Sequence, residues 1–287
     1  MAANSLVQDL VEAGIHFGQR SAAWNPKMGP YIYGKRNGIH IIDIKETIKG
    51  LLLAKKYIAK SVSEGKDICF VGTKRQARSV IEQRVGDVKM HYVTERWLGG
   101  TLTNFRTIRS RLKRLEELEG LEAKDNFASY SKKMESQLKR EKGKIARNLS
   151  GLRHMDKLPG AIVIIDVNKE INAVREARKL GIPTICLIDT DGDPDLADIA
   201  IPGNDDSMRS IDVIIRELCM AVNDGKQLRT AAKEGGTEGG ARTGETGGAG
   251  PRRSRRTQFR ADDAVGGESG EEVRVNSPGD VVAAKPA

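Results

Sequence analysis

Residues 161–189, AIVIIDVNKEINAVREARKLGIPTICLID, form a strand, helix, strand unit, and their reading decides the fold. The apolar runs at 161–166 and 183–189 are continuous rather than alternating, the pattern of parallel strands covered by helices on both faces. Between them Ile171, Val174, Ala177 and Leu180 fall on one helical face. Asn168 is placed to cap the start of this helix, and Gly181 and Pro183 end it.

The same alternation extends toward the N-terminus. IHIID at 39–43 and DICFV at 67–71 read as further buried strands, with helices from about Glu46 to Glu64 and from about Arg75 to Val85. Beyond the second unit a helix runs from about Ser207 to Asn223, and Asn204, Asp205 and Asp206 are placed to cap it and complement its dipole. The fold class is α/β, a parallel sheet sandwiched by helices.

The alternation stops after Thr103. Phe105, Ile108, Leu112, Leu115 and Leu118 recur three or four apart, and Met134, Leu138, Ile145, Leu149 and Leu152 do so again. Two antiparallel helices joined near Asp125 and Asn126 hide both stripes, so a coiled-coil hairpin is inserted into the sheet domain. Residues 104–149 hold 13 Lys+Arg against 7 Asp+Glu, a net of +6. The sheet domain is therefore discontinuous, 1–103 and 151–225, and the hairpin spans 104–150.

The whole chain has 287 residues, a formal charge of +9 and a pI near 9.4, which makes polyanions, and nucleic acid first among them, the partners to expect. Cys69, Cys186 and Cys219 lie far apart inside apolar runs and read as core residues. The first residues lack a basic region followed by an apolar one, and no stretch approaches the roughly 18 apolar residues of a membrane span, so a cytoplasmic protein is expected. From about Lys226 to residue 287 the pattern dissolves. Half of residues 235–250 are glycine with no large apolar residue among them, and this tail, which includes the RRSRR cluster, is expected to be disordered.

Signatures of catalysis are weak. VGTKRQAR at 71–78 follows a strand and opens a helix but lacks the spacing of a phosphate loop; Gly72, Thr73, Lys74 and Arg75 suit either a single backbone phosphate or a tight turn with solvated charges. In LGGTLTN at 98–104 the glycines let the chain leave the sheet, and Thr103 or Asn104 caps the first hairpin helix. His16, His40, His91 and His154 show no ligand spacing, and the acids of DTDGDPDLAD lack the register of a calcium loop. The segment at 16–43 differs. It mixes Arg20, Lys27, Lys35 and Arg36 with Phe17, Trp24, Tyr31 and Tyr33, a mixture that suits irregular RNA or, for the rings, a loop anchored on the sheet.

GIHFG, WNPKMGPYIYGKRNGIHIIDI, FVGTKRQA, RWLGGTLTNF and PTICLIDTDGDPDLADIAIPGNDDSMRSI resemble, in order and spacing, the bacterial small-subunit ribosomal protein two family, over about residues 5–225. The resemblance implies a flavodoxin-like or Rossmann-like sheet domain with a coiled-coil insertion. It implies a structural constituent of the small (30S) subunit that contacts ribosomal RNA, bridges head and body, and helps recruit the mRNA-binding ribosomal protein one. No catalysis, cofactor, metal, membrane or small-molecule substrate is implied. Carried over by motif, the RNA contacts are Trp24, Asn25, Lys27, Arg36, Lys74, Arg75, Arg96, Asn104, Arg106 and Arg109, with further basic positions along the hairpin. Two departures stand out. Gln19 occupies a position where the family commonly carries a second histidine, and Asp191-Gly192 stands where Asn and Cys are often found. A nucleotide-dependent enzyme using the sheet's carboxyl edge and a scaffold whose hairpin binds an acidic protein are the competing readings.

Overall fold

The structure is a computed structural model describing residues 2–125 and 131–238. In chain order the elements are α1 (Ala2–Glu12), β1 (Phe17–Arg20), β2 (Ile32–Arg36), β3 (Ile39–Ile42), α2 (Ile44–Ser63), β4 (Ile68–Val71), α3 (Arg75–Asp87), β5 (His91–Val93), α4 (Phe105–Asp125), α5 (Lys132–Leu149), β6 (Ala161–Ile165), α6 (Ile171–Leu180), β7 (Thr184–Ile188), β8 (Ile199–Pro202) and α7 (Met208–Glu238).

Five strands pair in parallel in the order β5-β4-β6-β7-β8. Counted along the chain that order is 2-1-3-4-5, the flavodoxin-like doubly wound sheet, whose winding reverses between β4 and β6. Period-two alternation divides its side chains between two cores. Ala161, Val163 and Ile165 of β6 pack with Leu51 and Ile58 of α2, Ile81 of α3 and Leu218 of α7. Ile162 and Ile164 point the other way, toward Val174 and Ala177 of α6 and toward Ile108, Leu115, Ile145 and Leu149 of the hairpin. The α4–α5 hairpin thus takes the place of a crossover helix between β5 and β6, and its base completes one face of the sheet. Farther out Leu118 and Leu138 form a small separate cluster, while Met134 is exposed.

Several sequence expectations need correction. IHIID does not join the parallel sheet. It is the middle strand of a separate three-stranded antiparallel sheet, β1-β3-β2, because Asn37 and Gly38 adopt φ of 51° and 78° and fold β2 directly back onto β3. Positive φ at both central residues of a two-residue loop is the hairpin geometry that Asn-Gly favours. Asn168 does not cap α6. The residue at that position is Glu170, and Asp166, at φ 69°, accepts instead from the N–H groups of Asn168 and Lys169. The last helix continues past Asn223 to Glu238, so residues 226–238 are helical rather than part of a tail. Lys226, Gln227, Leu228, Arg229, Ala231, Ala232, Lys233 and Glu234 are mostly strong helix formers that extend a helix already nucleated by packing. The rest of the expected tail, and Asn126 in the hairpin turn, lie outside the described residues. The three cysteines are buried, and burial pushes each thiol up to about 12.

Candidate nucleic-acid interface

A doubly wound sheet takes ligands beyond the carboxyl ends of its strands, where the winding reverses. Here that crevice lies after β4 and β6, and the chain's own side chains occupy it. The Thr73 N–H and hydroxyl both donate to Glu170, the N–H at 3.2 Å, and burial raises the Glu170 carboxyl above the ordinary range. The ammonium of Lys74 lies 3.0 Å from Asp166, 2.8 Å from Asp205 and 2.9 Å from Asp206. Burial opposes its charge, yet the carboxylates, Asp205 foremost, hold Lys74 above the ordinary lysine value. From β1, the Gln19 amide donates to Asp189 at 3.2 Å and to Asp206 at 2.6 Å, which stitches the small antiparallel sheet to the edge of the large one. Burial lifts the Asp189 carboxyl to about 6. None of Asn204, Asp205 and Asp206 caps α7. The Asn204 carboxamide accepts from the N–H groups of Asp206 and Ser207, which precede the helix, and Asp205 and Asp206 pair with Lys74. Ser207 is the cap, its hydroxyl accepting from the Ser210 N–H at 3.4 Å and its carbonyl from that of Ile211.

The glycine turn before the hairpin does bind an anion, and that anion is Glu176 of α6. One carboxylate oxygen accepts from the Gly100 N–H at 2.7 Å and the Trp97 indole at 3.2 Å. The other accepts from the N–H groups of Leu102 at 3.0 Å and Thr103 at 3.3 Å. Gly100 supplies the left-handed backbone, φ 89°, that turns these amides inward. Burial works against the charge, but the amides of Gly100 and Leu102 outweigh it and hold Glu176 below the ordinary glutamate range. The root of the hairpin is locked to α6 by this contact, and the Asn104 carbonyl then receives the first N–H groups of α4 from Thr107 and Ile108.

The ten expected contact residues fall in separate places. Asn25 donates its N–H to the Thr190 carbonyl and caps the turn at Pro26–Tyr31; Trp24 beside it is 37% exposed, its ring 5.1 Å from that of His40. Lys27 pairs with Asp193 and Asp195, and Lys74 is enclosed as described, so both charges are used internally. Arg36, at the end of β2, Arg75, at the start of α3, and Arg96, after β5, are exposed. Asn104, Arg106 and Arg109 stand together at the root of α4, where Arg109 donates to the Met155 carbonyl and pairs with Asp156. Along the hairpin Arg114, Lys139, Lys142 and Arg153 are paired with carboxylates; among the described residues Arg106, Arg111, Lys113, Arg140, Lys144 and Arg147 are not. Glu176 and Glu170 were not anticipated from the sequence, and Gln19 stood out only as a departure from the family pattern. A glutamate flanked by Ala173 and Ala177 on the core side of α6 was the available signal, since a carboxylate is buried only where something pairs with it.

Fold and site together define an α/β protein whose ligand crevice is filled by its own ion network and which carries a cationic helical hairpin. The family described as Ribosomal protein S2 matches residues 10–225. Among relatives, the small ribosomal subunit protein uS2 of Rhodopirellula baltica is 58% identical over 231 residues, covering 80% of this chain and 89% of that one. The uS2 of Synechocystis is 48% identical over 218 residues, covering 76% and 81%, and the uS2c of Guillardia theta is 49% identical over 217 residues, covering 76% and 92%. The chain belongs to the ribosomal protein S2 family and, with it, to the structural proteins of the small ribosomal subunit.

Proposed function

We propose that this protein holds its place in the small subunit by binding ribosomal RNA through the hairpin and its root, bridges head and body there, and helps recruit the mRNA-binding ribosomal protein one in the cytoplasm. The observation that carries the RNA reading is the division of cations. Lys74 is enclosed by three carboxylates and Lys27 is paired at the surface, while Arg36, Arg75 and Arg96 of the sheet domain and, in larger number, Arg106, Arg111, Lys113, Arg140, Lys144 and Arg147 of the hairpin have no carboxylate partner among the described residues. Unpaired cations on an exposed helical hairpin anchored by a buried apolar base are suited to phosphates, whose neutralisation releases counterions. The bridging and recruiting roles rest on the family resemblance.

Sedimentation of cell lysate through a sucrose gradient tests the reading. The protein is expected to travel with the small subunit after a moderate salt wash and to leave that fraction after ribonuclease treatment. Arg106→Glu with Arg147→Glu is expected to lower subunit occupancy while leaving the unfolding midpoint unchanged. A folded double variant with full occupancy would remove the hairpin from the RNA contact.

A further inference from the structure

The hairpin root contains one feature that internal packing does not use. Where the WLGG turn meets α4 and α5, a cleft of about 340 Å³ opens beside the hairpin core. Its floor is apolar, formed by Ile108, Ile145 and Leu149, which are 3–7% exposed. Arg111 and Lys144 stand at its rim, exposed and without a carboxylate partner among the described residues. Other cations of the two helices are tied across the hairpin, Arg114 to Glu141 and Lys142 to Glu122. Thr107 and Asn148 complete the rim. The Thr107 hydroxyl donates to Asn104 at 2.8 Å and the Asn148 amide donates to the Lys144 carbonyl at 3.1 Å. Each therefore keeps an oxygen free to accept.

We propose that this cleft receives one unpaired nucleotide of ribosomal RNA, its base against the apolar floor and its phosphates at Arg111 and Lys144. The inference rests on the RNA-binding reading above and adds the site and the chemical class. A flat apolar ring flanked by anions matches an apolar floor flanked by cations, which is the combination that recognises single strands. The volume lies at the small end of ligand pockets, about 300–1,000 Å³, and a stacked duplex does not offer a base for insertion. Two free acceptors at the rim favour a base carrying an amino group, adenine, cytosine or guanine, over uracil.

The test uses small subunits stripped of this protein, to which the full chain is added back, with acylation of unpaired nucleotides read along the RNA. A Cβ added at Gly99, which lines the cleft, meets nothing within 4 Å, so Gly99→Leu adds apolar bulk at the entrance without a clash at its Cβ. Wild type is expected to protect an unpaired nucleotide with an amino-bearing base. Gly99→Leu, and separately Arg111→Glu with Lys144→Glu, are expected to expose that nucleotide while the rest of the footprint stays. Lys132→Glu with Lys133→Glu, at the other end of α5, is expected to leave it protected. A Gly99→Leu footprint identical to wild type, or exposure of the same nucleotide by the Lys132 and Lys133 changes, overturns the nucleotide site and leaves RNA binding standing. A wild-type chain with no footprint overturns both.

Discussion

Replacing Glu176 with glutamine tests how the hairpin is held. The carboxylate accepts from three backbone N–H groups, Gly100, Leu102 and Thr103, and from the Trp97 indole, at 2.7–3.3 Å. Glutamine keeps one oxygen and turns an amino group toward donors that the second oxygen served. If Gly100 and Trp97 keep their acceptor, the N–H groups of Leu102 and Thr103 lose theirs. Leu102 is buried, so its unsatisfied N–H costs about 1–3 kcal/mol, whereas the N–H of the exposed Thr103 turns to water; loss of charge weakens the bonds that remain, and a total of about 2–3 kcal/mol is expected. Urea unfolding at pH 7 measures it as a lower midpoint at unchanged slope, and amide hydrogen exchange is expected to rise over residues 97–105. The pH dependence supplies an independent check. The folded carboxyl titrates below its ordinary value, so its stabilisation is present above that value and is lost as pH falls through the folded one. Wild type is therefore expected to lose more stability than Glu176→Gln on acidification below about pH 4.5. A cost under about 1 kcal/mol, with no change in exchange at the turn, would refute the role assigned to this carboxylate.

Three further outcomes follow from the same contacts. Lys74→Met leaves Asp166, Asp205 and Asp206 without their shared cation and is expected to cost about 3–5 kcal/mol in urea unfolding at pH 7. Asp189, lifted to about 6, binds a proton more tightly folded than unfolded, so its contribution falls as pH rises through 6; stability measured at pH 5 and 7 should differ by about 1 kcal/mol more in wild type than in Asp189→Asn. Leu115→Ala empties a fully buried position where the hairpin meets the sheet and is expected to cost about 2–5 kcal/mol, measured by thermal or urea unfolding.

Much of the architecture was legible because period and punctuation agree locally. The runs at 161–166 and 183–189, with Gly181 at φ 65°, became β6, α6 and β7, and the leucine stripes became α4 and α5. Short or locally diverted segments were harder. His91–Val93 spans three residues and Ile199–Pro202 ends on proline, so neither carries a strand signal strong enough to stand out. Asn37-Gly38 was the hairpin signal that moves IHIID to the second sheet, and hydrophobicity alone does not reveal it. The site was least legible, since its partners are far apart in sequence. Lys74 meets acids 92 to 132 positions away, and nothing near VGTKRQAR announces that the lysine will be enclosed rather than offered to a phosphate. Likewise WLGGTLTN has the composition of an anion cradle, and only the fold shows that α6 brings the anion.

Ultraviolet crosslinking of this protein within small subunits, with the RNA-linked peptides identified by mass spectrometry, tests the hairpin root as the RNA face most directly. Crosslinks concentrated in residues 96–114 and 140–148 are expected. Crosslinks confined to the outer surfaces of α2 and α7, with none in the hairpin, would contradict it.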